Sequence, residues 1–368
     1  MARVTLDKVN KIYPSRHGDV HAVQDLDLAI EDGEFVALLG PSGCGKTSTL
    51  RMIVGLEAIS GGVIAFDGQP VNDQTPEQRN VAMAFETYAL YPTFTVAQNL
   101  AFPLEVKGVD KPTRDEKVAE VARLLRIEPI LDSFPRQLSG GQQQRVSLGR
   151  ALIRDPAVFI LDEVMSHLDA HLKFQMLFEL KRIHQTLERT IVYVTHDQME
   201  ALALADRVAV MSDAKLQQFG DRDTLYDRPA NTFVAGFIGE PPTNFLEAEV
   251  QDDGTTMRLT IRDASAAFVP DGPRAAAIRD QSLKSVIVGI RPQNLHVRHD
   301  EGDEQITATV EINEYQGEHS ILSLRDGAAE FRAMVPPSVK TGEGETIDLS
   351  YRSRDVMVFH PETEVFIS

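Results

Sequence analysis

The chain has 368 residues, 42% hydrophobic and 25% charged, with a formal net charge of −18. This is the composition of an ordinary globular protein, long enough for two or three domains. No run nears the ~18 consecutive apolar residues a spanning helix needs, and the charge argues against broad nonspecific nucleic-acid binding, which requires a basic footprint, while leaving room for a local basic patch.

At the start, "MARVTLDKVNKIYP" lacks the apolar core of a signal peptide. Five short apolar runs then predict strands: "FVALLG" (35–40), "VIAFDG" (63–68), "AVFILDE" (157–163), "TIVYVTH" (190–196) and "RVAVMSD" (207–213). Continuous apolar runs of this length suit strands covered on both faces. Helical periodicity falls between them, at 46–56, 114–126, 141–154, 170–188 and 197–205. Strands alternating with helices predict an α/β layered domain over residues 1–240, with a mostly helical insertion at about 88–156. "GEPPTN" (239–244) reads as a linker or rigid turn. Residues 241–368 then alternate in a strand pattern. In "QITATVEI", Ile306, Ala308, Val310 and Ile312 fall on one predicted face and Thr307, Thr309 and Glu311 on the other. An all-β domain, a small barrel of the oligonucleotide/oligosaccharide-binding (OB) type, is expected there.

The chemistry begins at "LLGPSGCGKTST" (38–49), which fits G-x-x-x-x-G-K-[ST]. It follows a predicted strand and opens a predicted helix. Small residues let backbone N–H groups wrap phosphate oxygens, and the helix N-terminus adds partial positive charge. In this motif Lys46 reaches the β/γ-phosphates and the Thr47 hydroxyl binds Mg2+. Cys44, the one cysteine, cannot close an intrachain disulfide and fits a reducing cytosol. It reads as a small filler, although a thiol near a helix N-terminus can have a lowered pKa.

"AVFILDE" places Asp162 and Glu163 at a strand end. Alone, that is a strand meeting solvent; beside a phosphate loop, one carboxylate suits a water-bridged Mg2+ and the next suits an attacking water. In "PRQLSGGQQQRVSLGRAL" (135–152), Ser139, Gly140 and Gly141 offer a hydroxyl and close N–H groups at a helix start, a second anion site. His196 ends a further strand.

These motifs, in this order, resemble the ABC-type ATPases, and the whole chain resembles the ATPase subunit of bacterial carbohydrate importers of the maltose and glycerol-3-phosphate uptake kind. The resemblance is strong over residues 1–240 and looser after 245. It implies that ATP and Mg2+ are bound and that Ser42, Gly43, Cys44, Gly45, Lys46, Thr47 and Ser48 form the phosphate loop. By the same resemblance Tyr13 stacks on adenine, unless it is only a strand-edge tyrosine. Asp162 assists the metal, Glu163 is general base or water-positioning residue, and His196 contacts the γ-phosphate. Ser139, Gly140, Gly141 and Gln142 complete the site of a partner ATPase, and Asp169 communicates across that dimer. Two transmembrane permease subunits, and through them a solute-binding protein, are implied, with the chain peripheral on the cytoplasmic membrane face. The C-terminal domain is implied to be regulatory or dimer-forming.

Several positions depart from the pattern. Glu86 stands where the family usually has a glutamine that contacts Mg2+ and the attacking water; the charge favours the metal and disfavours the γ-phosphate. Val164 and Met165 replace proline and leucine, His167 replaces asparagine, His171 replaces lysine, and Gln293 replaces a glutamate in the "RPE" stretch. Relaxed packing after Glu163 is the plain expectation; a metal pair at His167 and His171 is the sharper one. The cluster suggests a second, different ATPase partner as an alternative to a second copy. Tyr88, Tyr91 and Phe94 either dock a permease helix, pack the helical insertion, or both. The rival classes are a nucleotide-switched regulator and a soluble ABC ATPase acting without a permease.

Overall fold

The computed structural model describes residues 2–16, 18–85, 87–297 and 304–368. They fall into two compact units, Met1–Arg222 and Asp223–Ser368.

The first unit runs β1 (Val4–Tyr13), β2 (Val20–Ile30), β3 (Phe35–Leu39), α1 (Lys46–Val54), β4 (Gly61–Phe66), β5 (Gln69–Pro70), β6 (Val81–Ala84), α2 (Val96–Val106), α3 (Lys111–Leu125), α4 (Gly140–Leu152), β7 (Val158–Asp162), α5 (Ala170–Leu187), β8 (Thr190–Thr195), α6 (Gln198–Leu204), β9 (Arg207–Ser212) and β10 (Lys215–Gly220). Every predicted strand and helix of this unit is present. One sheet is antiparallel, in the order β2-β1-β4-β5; the other is mostly parallel, in the order β10-β9-β3-β8-β7-β6. All residues of β3 and β8 are buried, and β7 is buried up to Asp162. This is why those runs are continuously apolar rather than alternating.

Register positions the chemistry. Leu39 pairs with Thr195, and Asp162 pairs with Val194. Because β3, β7 and β8 are parallel, the loops after them leave from the same sheet edge, where ligands of open α/β sheets bind. Between β6 and β7, helices α2, α3 and α4 build their own core from Leu100, Leu104, Val121, Leu125 and Val146. Local signals start each helix: Thr95 and Ser139 head capping boxes, and the Asp110 carboxylate accepts from the Thr113 N–H.

The second unit holds α7 (Arg222–Asp227, whose first residue belongs to the first unit), α8 (Thr232–Phe237), β11 (Asn244–Asp252), β12 (Met257–Ile261), β13 (Ala267–Phe268), α9 (Gly272–Asp280), β14 (Ser285–Ile290), β15 (Glu304–Tyr315), β16 (Ser320–Asp326), β17 (Ala329–Val335), β18 (Thr346–Tyr351) and β19 (Met357–Phe359). Two antiparallel sheets, β13-β12-β11-β14-β19 and β17-β16-β15-β18, share one core that includes Leu246, Val288, Val310 and Leu349. Residues 239–244 form a packed turn: Thr243 is buried, its hydroxyl donates to the Ala235 carbonyl, and Arg291 bonds to Thr243 and to the Ile238 carbonyl.

The two antiparallel sheets bear out the expected all-β domain, with one helix, α9, set between β13 and β14; Asp271 caps it, and Pro273 sits in its first turn. One expectation needs correction. Ile312 does not share the buried face of Ile306, Ala308 and Val310. A β-bulge between Val310 and Ile312 resets the register with β16 and turns Ile312 outward, 49% exposed.

Candidate active site

The loop between β3 and α1 is shaped by contacts that leave no room for side chains. A Cβ on Gly40 would lie 2.2 Å from the Met211 carbonyl oxygen, and one on Gly45 would lie 2.2 Å from that of Ala22. Gly45 also has φ +105°, in the left-handed region that glycine enters without steric cost. Helix α1 has no side-chain cap and no acidic residue in its first turn. Its first N–H groups and its positive dipole end therefore suit an anion. The Lys46 ammonium is buried and donates to the carbonyls of Gly40 (2.8 Å) and Pro41 (3.0 Å). Ser42, Gly43 and Thr47 are exposed, and Ser48 is partly so. Burial pushes the Cys44 thiol pKa up, outweighing the opposing pull of Lys46. Cys44 is thus a buried filler and not an activated thiol.

Tyr13, at the end of β1, reaches the same helix. Its hydroxyl donates to the Glu57 carboxylate and lies 3.2 Å from the Ser48 Oγ, while the Lys11 ammonium sits 4.7 Å from its ring centroid. Burial and the Glu57 bond raise the tyrosine pKa. Glu57 carries no sequence signal of its own; it comes to the site through the turn after α1.

At the end of β7, Asp162 is half-buried. Glu163 takes a left-handed conformation (φ +46°), and its N–H donates to the Val194 carbonyl at 3.0 Å. A residue of this kind in that region costs about 1–3 kcal/mol and persists only where its surroundings hold it. Here the next two residues, Val164 and Met165, are buried, and the Ser166 hydroxyl closes the turn onto the Glu163 carbonyl at 2.5 Å. The expected relaxed packing is therefore not found. His196, following β8, brings Nδ1 within 3.5 Å of the Glu163 carboxylate. Helix α1 packs on both β7 and β8, so the phosphate loop, Asp162, Glu163 and His196 gather at one sheet edge.

The Thr47 hydroxyl and the Asp162 carboxylate are hard oxygen donors, the set Mg2+ prefers. Glu86, the third predicted metal residue, lies outside the described residues. Among the described residues no group of three His, Cys, Asp or Glu side chains could hold a metal; the His171 Nε2 lies 2.9 Å from the Gln175 side chain.

Ser139 and Asp169 serve their own helices. The Ser139 Oγ accepts from the Gln142 N–H (3.4 Å), the Gln142 side chain accepts from the Ser139 N–H (2.9 Å), and Asp169 accepts from the Leu172 N–H (2.9 Å). Ser139 and Asp169 are exposed, Gly140 and Gln142 partly exposed, and Gly141 is buried against Leu172. Beside this helix start lies the segment after Glu86. Tyr88 and Ala89 both have positive φ, and Arg150 of α4 donates to both carbonyls, at 3.3 and 2.5 Å. Tyr91, Phe94 and Phe102 form an aromatic cluster with Tyr91 40% exposed.

A glycine-shaped phosphate loop facing a carboxylate and an imidazole on adjacent parallel strands defines a P-loop ATPase. The ABC transporter family model matches residues 23–166, and the TOBE domain model matches residues 288–359. The chain is 44% identical to the trehalose/maltose import ATP-binding protein of Thermococcus litoralis, over 99% of each chain. It is 42% identical to the sulfoquinovosyl glycerol transport ATP-binding protein of Agrobacterium fabrum and 40% identical to the sn-glycerol-3-phosphate import ATP-binding protein of Burkholderia lata, each over 99% of both chains. A solved ATP-binding cassette, a dimer in a post-hydrolysis state with ADP and phosphate, superposes with a TM-score of 0.54 at 29% identity, covering 59% of this chain and 98% of that one. The chain belongs to the ATP-binding subunits of ABC transporters and is an ATPase coupled to transport. Among the described residues no helix is long and apolar enough to cross a membrane.

Proposed function

We propose that the chain hydrolyses ATP to power import of a sugar, polyol or glycerol phosphate through two permease subunits fed by a solute-binding protein. It sits peripherally on the cytoplasmic membrane face. The observation that carries this reading is the Glu163–His196 pair on the sheet edge that also bears the Lys46 loop.

In this reading Lys46 and the N–H groups of residues 42–48 hold the β- and γ-phosphates, and Tyr13 stacks on adenine. His196 holds the γ-phosphate, and Glu163 orients the attacking water and takes its proton. Thr47 and Asp162, with Glu86, hold Mg2+, which when bound neutralises charge on the phosphate oxygens. Ser139, Gly140, Gly141 and Gln142 come from the second ATPase chain, a copy or a paralogue, with Asp169 facing it. Closure on ATP and opening after hydrolysis then drive the permease, whose short cytoplasmic helix docks by Tyr88, Tyr91 and Phe94. The C-terminal β-domain is regulatory.

The test is ATPase activity in liposomes carrying the cognate membrane subunits, with and without solute. Solute-stimulated turnover is expected. Turnover indifferent to both permease and solute would leave a soluble ATPase instead. Native mass spectrometry of the active transporter decides between a homodimer and a mixed pair.

A further inference from the structure

His196 sits between two residues that are held tightly. On one side, the Thr195 hydroxyl donates to Glu200 (2.6 Å) and accepts from the Asp197 N–H (3.0 Å). On the other, one Asp197 oxygen caps α6 through the N–H groups of Met199 (2.8 Å) and Glu200 (3.3 Å). Both carboxylates converge on one ammonium: the Lys173 Nζ lies 2.8 Å from Asp197 and 2.6 Å from Glu200. Glu200 is 3% exposed, and the Tyr193 hydroxyl donates to it as well. A buried carboxylate is costly unless paired and hydrogen-bonded, and short charge-assisted bonds of this kind are the strong ones. The His196 side chain itself stays 56% exposed, facing Glu163.

Lys173 also belongs to the first turn of α5, where its N–H donates to the Asp169 carbonyl at 2.8 Å. The same residue therefore touches the Asp169 turn and both acidic anchors of the His196 turn.

We propose that Lys173 is a positioning residue for the hydrolytic reaction: through Asp197 and Glu200 it fixes the His196 turn relative to the Asp169 turn. This rests on the assignment of His196 to the γ-phosphate. Burial by itself would lower the pKa of the Lys173 ammonium, but its bonds to Asp197 and Glu200 outweigh that and raise it, so the charge is secure at neutral pH. "THDQME" carries a capping pattern, Asp197 with Glu200 three residues on, but nothing local points to a lysine 24 residues upstream.

The experiment compares Lys173→Met, Lys173→Arg and Asp197→Asn in the full chain, assembled with its permease. Asparagine keeps the helix cap through its remaining oxygen and removes the Asp197 half of the ionic link, leaving Lys173 on Glu200. Turnover is normalised to nucleotide-binding sites, so loss of folded protein does not count. Lys173→Met and Asp197→Asn are expected to lower kcat about 10- to 100-fold, the scale of a misplaced catalytic group, with KM within about threefold. Lys173→Arg is expected to recover most of the loss. Should Lys173→Met not fold, Asp197→Asn decides alone. Turnover within about twofold of the parent in Asp197→Asn, or a raised KM with unchanged kcat, overturns the proposal. His196→Ala separates the two layers. If it hydrolyses ATP normally, the underlying site reading fails; if it does not while the Asp197 variant does, only the role of Lys173 fails.

Discussion

The His196 imidazole and the Glu163 carboxylate face each other across the ends of β8 and β7, Nδ1 to Oε2, at 3.5 Å. That is ion-pair range rather than a short hydrogen bond, and it leaves a carboxylate and an imidazole side by side on the sheet edge that also bears the Lys46 loop. The left-handed turn at Glu163 breaks the line of the strand, and its carboxylate lies against His196.

Glu163→Gln keeps the shape and removes the base. Turnover is expected to fall by about 10²–10⁴, the usual worth of a positioned general base, with nucleotide affinity preserved. Steady-state ATPase assays and equilibrium nucleotide binding check both halves. Robust hydrolysis by this variant would strip Glu163 of the role.

Gly45→Ala should cost more than Gly43→Ala. Both positions have positive φ, +105° and +82°, but only the Gly45 Cβ meets a backbone oxygen, at 2.2 Å; around Gly43 there is nothing within 4 Å. Backbone strain of about 1–3 kcal/mol is expected at either, with a steric clash added at Gly45 alone. Thermal melting and nucleotide titration of the two variants give the ordering; equal effects would show that the approach of Ala22 does not constrain the loop.

The bulge in β15 gives a paired stability test. Val310→Thr puts a hydroxyl into the core and is expected to cost about 1–3 kcal/mol. At Ile312, on the outward face, the same change is expected to stay within about 0.5 kcal/mol. Denaturant melts read both. A large loss at Ile312 would mean that the strand keeps unbroken alternation.

Asp252 titrates far from its usual range. The Arg279 guanidinium forms two bonds with it, at 2.7 and 2.8 Å, and the Gly254 N–H adds a third, bringing its pKa to about 2. The ordinary aspartate value is about 3.9, so the folded value is the lower one. Its stabilising contribution is therefore complete above about pH 4 and lost as pH falls through about 2. Arg279→Ala should move the carboxyl pKa upward, followed by carbon-detected NMR titration. An unchanged pKa would assign the shift to the backbone contact.

Much of this molecule was legible in local pattern. The phosphate loop announces itself because a glycine-rich turn between an apolar strand and a helix has few other uses. The strands β3, β7 and β8 are readable because both their faces are buried, and α4 because Ser139 and Gln142 form a capping box within four residues. These are consequences of sterics and hydrogen bonds between near neighbours, which the order of residues fixes by itself. Other features were decided by contacts far apart in sequence. Pairing of Asp162 with Val194 places Glu163 opposite His196. The reach of Lys173 to Asp197 and Glu200 depends on how α5 packs beside α6. The turning of Ile312 to solvent depends on one extra residue absorbed against β16. No local pattern encodes these, because strand register and helix packing are settled only when distant apolar faces are buried together.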